Sequence, residues 1–434
     1  MALDSTTLTH LLPDLGDPAE LLANAQTAPQ APIHSNAHIH LPPNFSAFET
    51  VEQAVRLAAD QGVEVLGASN YYDYHVYGEF AEAAKRYGVF PLYGLEIITL
   101  DDDLLRQGVK INDPGNPGKF YLCGKGITQF APMNDEACDL LAVIRQNDSA
   151  RMAQMTEKMS AFFAAQGVET GLTASAIKAR IAHRHDCPID TVYLQERHLA
   201  QAFQEMIFER ANTSERPTLL EKLFGTASKS NPDDSAAVQG EIRSYLMKAG
   251  KPAFVPETFV GFDHAYRLIL ALGGIPSYPT LADGASPVCA FETPAASLID
   301  AIKARGLAAA ELIPIRNTPG VLGEYVRAMR QAGLVVTAGT EHNTLDLVPI
   351  EPTCLDGTPI PDDVLRIFEE GACVVAAHQY LILSSKPGFV DESGVPNAEY
   401  NSDDERIAAF AKLGVAVIHR YRDAYAPSGA TETE

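Results

Sequence analysis

No lysine or arginine precedes Arg56. A secretory leader opens on basic residues, so this N-terminus predicts none. No apolar run reaches the ~18 residues that a membrane-spanning helix needs. The six cysteines, Cys123, Cys138, Cys187, Cys289, Cys354 and Cys373, lie far apart and form no CxxC pair. They read as reduced core thiols of a cytoplasmic protein rather than as a disulfide framework. Cationic residues are scarce as well: 33 Lys and Arg against 56 Asp and Glu give a formal net charge of −23. So acidic a surface repels phosphate backbones and anionic lipid, which argues against duplex nucleic acid or a membrane as partner.

What is present is an ordinary globular composition over 434 residues, 46% hydrophobic and 21% charged. That length suits one large α/β domain with an insertion, or two or three smaller domains. Residues 1–32 are polar and weakly periodic and read as an irregular arm. From residue 33 strand-like and helix-like segments alternate: "AHIHL", "FETVEQAVRLAADQG", "VEVLGAS", "EFAEAAKRYG", "VFPLYGLEIIT". Gly62 and Gly88 stand where helices should stop. The rhythm breaks near residue 100, passes one more strand-like piece, "FYLCGKGI", and gives way to almost unbroken helical patterning over 131–250. It resumes after 255 with "DHAYRLILALGG", "IPSYPT", "LIDAIKARG", "LAAAELIPI", "GEYVRAMRQAG" and "LVVTAGTEHN". Helix, glycine and β-branched run in repeated succession predict a βα barrel formed by 33–130 and 251–350. Residues 131–250 then form a helical insertion, or cap. Residues 351–434 form a C-terminal extension, with "CVVAAH" read as a strand and "APSGATETE" as a disordered tail.

Chemistry-bearing residues gather at the predicted strand ends, where βα barrels place their active sites. In "NAHIH", His38 and His40 alternate along a strand and so project to one face. Two imidazoles so spaced suit a Zn, Mn or Fe ion, although two backbone-bonded histidines would read the same way. "YGLEI" places Glu96 at the end of the third strand, and "AGTEHN" places Glu341 and His342 at the end of a late one. A carboxylate on an apolar strand needs a partner, and a divalent ion is one. "SNYYDYH" carries Asn70, Tyr71, Asp73 and His75 after the second strand. His378 ends "CVVAAH" and is a further candidate to line the site. Arg197 and Arg316 could clamp an anionic group, against the plainer reading of surface ion pairs.

Taken in order, these residues resemble the motifs of the PHP (polymerase and histidinol phosphatase) superfamily, in its branch of small nucleotide phosphoesterases with a helical insertion. The family's H-x-H is matched by His38-Ile39-His40, its T-D-H position by Ser69-Asn70-Tyr71, and its G-x-E by Gly94-Leu95-Glu96. "ERHLA" offers His198 with Arg197, "GGIPSYP" offers Tyr278-Pro279 for H-P, and Gly339-Thr340-Glu341-His342 matches G-S-D-x-H with one residue fewer. The resemblance implies a distorted (βα)7-type barrel and a metal set drawn from His38, His40, Glu96, His198, Glu341 and His342. Asn70, Tyr71 and Tyr278 replace better ligands, so the resemblance implies one or two divalent ions (Mn, Zn or Fe) rather than three.

The expectation that follows is a metal-dependent hydrolase that cleaves a small phosphorylated metabolite or nucleotide with a metal-activated water. Arg197 and Arg316 would hold the anion. The alternative keeps the metal and changes the chemistry to a C–O or C–N hydrolase, isomerase or lyase, with Tyr71 or Tyr278 as acid or base. Asp73 and His75 could stand in for Asn70 and Tyr71 as ligands, or the tyrosines could wall the pocket. The partner is a small molecule; assembly into a homo-oligomer stays open.

Overall fold

The computed structural model describes residues 15–24 and 32–425. Most of the arm and the whole of the tail "APSGATETE" lie outside the described residues. Within the arm, Pro18–Asn24 is a helix (α1), not irregular chain.

The barrel is built from seven strands joined in the order in which they occur in the chain. Strand β1 (Ser35–Ile39) is followed by α2 (Val51–Asp60), β2 (Val65–Ala68), α3 (Tyr77–Tyr87) and β3 (Phe90–Leu100). The two helices obey the sequence signals. Thr50 caps α2 by accepting from the Gln53 N–H, and Gly88 ends α3 in the left-handed conformation at φ 65°. After the short helix α4 (Asp102–Arg106) comes β4 (Lys119–Lys125). It runs antiparallel to both β3 and β5, whereas the other neighbours are parallel. This one reversed strand is what distorts the (βα)7 pattern. The second half is α10 (Phe262–Ala271), β5 (Ile275–Thr280), α11 (Ala295–Ala304), β6 (Ala309–Leu312), α12 (Pro319–Gln331) and β7 (Val335–Ala338), with α5–α9 in between.

A short seam brings the two ends of the sheet together. The His38 carbonyl accepts from the N–H groups of Thr340 and Glu341 at 3.1 and 2.8 Å, and the His40 N–H donates to the Glu341 carbonyl at 2.8 Å. To make these bonds Glu341 and His342 adopt φ of 60° and 50°. Non-glycine residues held there cost about 1–3 kcal/mol each and cluster at functional sites.

The insertion comprises α5 (Asp135–Ala165), α6 (Ala174–Arg184), α7 (Glu196–Arg210), α8 (Arg216–Phe224) and α9 (Ser235–Ile242). It has its own apolar core, in which Met155, Phe163, Phe203 and Leu246 are buried. Helix α5 spans both cores: Leu141 and Ile144 pack with the barrel, Met152 and Met159 with the insertion.

The C-terminal extension corrects one expectation. "CVVAAH" is the middle of the helix α13 (Asp362–Leu383), not a strand. Cys373, Val374, Val375, Ala376 and Ala377 are all buried between β7 and the last helix, α14 (Asp403–Tyr425). An apolar run enclosed on every side shows no amphipathic period, so a buried helix looks like a buried strand. Glycines allow this depth. A Cβ on Gly371 would meet the Val336 carbonyl oxygen at 2.0 Å, and one on Gly414 the Cys373 carbonyl oxygen at 1.9 Å. Among the described residues no helix is long and apolar enough to cross a membrane.

Candidate active site

Alternation along the strands decides which side chains enter the barrel. In β3 and β4, Glu96 pairs with Cys123; in β4 and β5, Cys123 pairs with Ser277; in β6 and β7, Glu311 pairs with Thr337. Residues paired across strands share a face. These side chains, with His38 and His40 at the end of β1, fill the barrel interior, and all are buried.

Within this interior three ligand atoms converge. His40 Nε2 lies 3.1 Å from Glu96 Oε2, His38 Nε2 lies 3.7 Å from the same oxygen, and the two Nε2 atoms are 3.4 Å apart. The three residues are 1%, 0% and 4% exposed for His38, His40 and Glu96. Glu96 Oε2 nevertheless makes no well-aligned hydrogen bond among the described residues, although His40 Nε2 and the Tyr71 hydroxyl stand beside it. A buried carboxylate oxygen with no well-aligned donor is costly unless a cation meets it. Burial lowers the pKa of His40 and so favours the neutral imidazole that ligates. Two imidazoles and one carboxylate suit Fe, Zn or Mn, and the three side chains fit a single divalent ion.

The far side of His38 is equally defined. Its Nδ1 is 2.7 Å from Glu311 Oε1, which fixes the ring and its tautomer. Glu311 in turn accepts from the Lys125 ammonium and from the Cys123 thiol at 3.3 Å. Lys125 also donates to the Ala37 carbonyl at 3.1 Å. Burial opposes ionisation of Glu311, but His38 and Lys125 outweigh it and hold the carboxyl down at about 2. Glu311, Lys125 and Cys123 escaped the sequence reading. Glu311 could have been found, since "LAAAELIPI" shows a glutamate on an apolar strand just as "YGLEI" does.

The other expected ligands lie elsewhere or are already engaged. His198 caps α7: its Nδ1 accepts from the Gln195 N–H at 3.0 Å, and it also bonds to the Pro43 backbone. His342 bonds to Thr340 Oγ1 at 2.7 Å and to the Val348 carbonyl at 2.9 Å, so both its nitrogens are spent. Glu341 is clamped by Arg316 through two contacts of 3.0 and 2.5 Å, and by Asn343 at 2.6 Å. Tyr278 faces away from the cluster, packing on Phe120 and donating to Glu292 at 2.9 Å. Asn70 is a buried tether between β2 and Leu41. Asp73 pairs with Arg145 at 3.0 Å, and His75 is exposed, so neither substitutes as a ligand. His378, deep in α13, bonds to the Gly273 carbonyl and the Phe389 N–H and does not line the site.

Tyr71 is the sequence-named residue that does border the cluster. Its ring stacks on His40 at 5.0 Å and 4°. Burial, with the charge of Glu96 beside it, pushes its hydroxyl well above the ordinary range, so Tyr71 stays a neutral donor. The same tyrosine lines a cavity of about 80 Å³ between the barrel mouth and the insertion. Lys119, Arg151, Arg197 and Arg243 line that cavity with the carboxylates Asp148 and Glu196, and Lys119 is also met by Asp113 and Glu257 at 3.4 and 3.5 Å. Arg151 is paired with Glu196 at 2.7 Å. Arg197 has no ion-pair partner among the described residues; Arg243 approaches Glu196 at 3.9 Å, and its buried Nε has no hydrogen-bond acceptor. Burial and then the neighbouring Arg243 lower the pKa of Arg197.

No family model matches the chain, and no curated protein matches it. Solved structures similar to it include the following two. One is a protein from Bifidobacterium adolescentis provisionally assigned as a metal-dependent phosphoesterase, the other an amidohydrolase from Chromobacterium violaceum with bound sulfate and no metal. Each is 17% identical, with a TM-score of 0.49, covering 77% of this chain and 96% of its own. Similarity at that level transfers neither activity nor substrate.

Proposed function

We propose that the protein is a metal-dependent hydrolase acting on a small anionic substrate, in the first place a phosphorylated metabolite or nucleotide. The observation that carries this reading is Glu96 Oε2, buried without a well-aligned hydrogen bond and facing His38 Nε2 and His40 Nε2. His38, His40 and Glu96 would hold a divalent ion, which would supply Lewis-acid chemistry toward a substrate oxygen and a water. The chain's own residues do the rest. Glu311 orients His38, and Lys125 keeps Glu311 ionised. Tyr71 walls the ion side of the cavity and offers a hydroxyl proton there. Arg197 and Arg243 supply the local positive field that an anion requires on a chain of net charge −23. The insertion closes over the barrel mouth and limits substrate size, which suits a small molecule and not a duplex.

The test is release of inorganic phosphate from a panel of phosphomonoesters and nucleotides by protein loaded with Mn, Zn or Fe. Turnover that disappears in chelator and returns with metal supports the reading. The same arginines would accept a carboxylate, so the panel includes N-acyl and ester substrates bearing one. Turnover of those alone moves the assignment to C–N or C–O hydrolysis.

A further inference from the structure

Four carboxylates line or adjoin the barrel interior, and they differ in what neutralises them. Glu311 is met by the Lys125 ammonium and Glu341 by the Arg316 guanidinium. Glu292 is held by the N–H groups of Leu281 and Ala282 and by Tyr278. Glu96 faces two imidazoles and the Tyr71 hydroxyl and has no cation of the chain upon it. Among the described residues two groups of ligand atoms lie close enough to share an ion: His38, His40 and Glu96, and His38, Cys123 and Glu311. The second already contains a cation, because Lys125 Nζ sits on Glu311 and the Cys123 thiol donates to the same carboxylate.

We infer that this is a one-ion site, in which Lys125 is a fixed internal cation occupying the position that a second metal ion would take beside His38, Cys123 and Glu311. The inference rests on the metal-site reading of His38, His40 and Glu96, and deepens it. Charge bookkeeping agrees. Glu96, Glu311 and Glu341 against Lys125 and Arg316 leave one negative charge, and a single divalent ion overcompensates it by one, which hydroxide or an anionic substrate cancels. A second ion would raise a buried region of low dielectric by two more charges, with no carboxylate left to meet it. The two cations are not interchangeable. Lys125 secures the orientation of His38 through Glu311, whereas Arg316 holds Glu341 on the β7–β1 seam.

Metal-stripped full-length protein is loaded with Co(II), passed through gel filtration and assayed for cobalt per chain. Native protein should retain one ion and His40→Ala none. Arg316→Met bares Glu341, which belongs to neither ligand group, and should still retain one. Lys125→Met should take a second ion, with a thiolate-to-cobalt charge-transfer band that Cys123→Ser removes. Because Lys125→Met leaves Glu311 buried and unpaired, the double variant Lys125→Met with Glu311→Gln removes both charges together and should return to one ion. Two or more ions in native protein, or one ion in Lys125→Met, overturns the inference while the metal-site reading stands. No uptake by native protein overturns both.

Discussion

Glu96, on β3, and Glu311, on β6, are carboxylates on apolar strands of the same barrel, 4% and 0% exposed. Their surroundings are opposite. Glu311 is saturated by an ammonium, an imidazole and a thiol. Glu96 keeps one oxygen with no well-aligned hydrogen bond and no cation of the chain upon it, although it is as deeply placed. The contrast extends to the halves of the barrel. On the β5–β7 side Glu292, Glu311 and Glu341 have their partners within the chain; on the β1–β3 side the ligand atoms face one another and lack one. Burial therefore does not mark a ligand. The unfilled valence does, since an unpaired buried acceptor costs about 1–3 kcal/mol and more when charged.

The sharpest way to break this comparison is to alter the unfilled side. Glu96→Gln or His40→Ala should abolish metal retention and lower kcat by roughly a thousandfold or more, the scale of losing a Lewis acid's several kcal/mol. Elemental analysis and turnover on the same preparation check it. If either variant keeps its ion and its rate, Glu96 is an ordinary strand-end carboxylate. Altering the filled side should do less. Glu311→Gln keeps the shape but weakens the hold on His38, and metal affinity should fall about 10- to 100-fold. Competition with a chelator of known affinity measures this, and an unchanged affinity would assign Glu311 to folding alone.

The half-barrel that reads clearly in the sequence is the half with the unfilled site. H-x-H on a strand and G-x-E two strands later place three inward side chains by period alone, and the structure brings their ligand atoms together. The rest needed tertiary knowledge. His198 is spent on a helix cap and His342 on Thr340 and the Val348 carbonyl, and neither set of partners is visible as a motif. Tyr278 occupies a position where one residue of register reverses the facing: Ser277 pairs with Cys123 of the interior, so its neighbour points outward. Lys125 gave no signal, because a lysine at the end of "FYLCGK" looks like a solvated strand end until Glu311 is placed beside it.

On the cavity side, Arg197→Ala should raise KM for an anionic substrate about tenfold, the effect of about 1.4 kcal/mol, while leaving metal retention unchanged. Arg151→Ala is less clean, since it also strips Glu196 of the partner that, with Lys248 and Lys119 and against the effect of burial, holds its carboxyl down at about 2. A KM for the anion that does not move in Arg197→Ala would leave this unpaired arginine without a ligand role.

The smallest effect on activity, and the most informative about the filled side, concerns Glu292. Burial pushes its carboxyl up to about 7, although the N–H groups of Leu281 and Ala282 and the Tyr278 hydroxyl favour the ionised form. A carboxyl raised in the folded state binds its proton more tightly than in the unfolded chain. Its contribution to stability is then complete below the ordinary carboxyl range and is lost as pH rises through about 7. Chemical unfolding between pH 4.5 and 7 should show native protein losing up to about 3 kcal/mol from this group as pH increases, by the conversion of 1.36 kcal/mol per pK unit. Glu292→Gln has no proton to lose and should flatten that slope, whatever its absolute stability, with one ion per chain retained. A slope identical in the two proteins would mean that Glu292 is already ionised when folded. Its three donors would then be fully compensating, and the two halves of the barrel would differ only in whether the compensating cation or donor belongs to the chain.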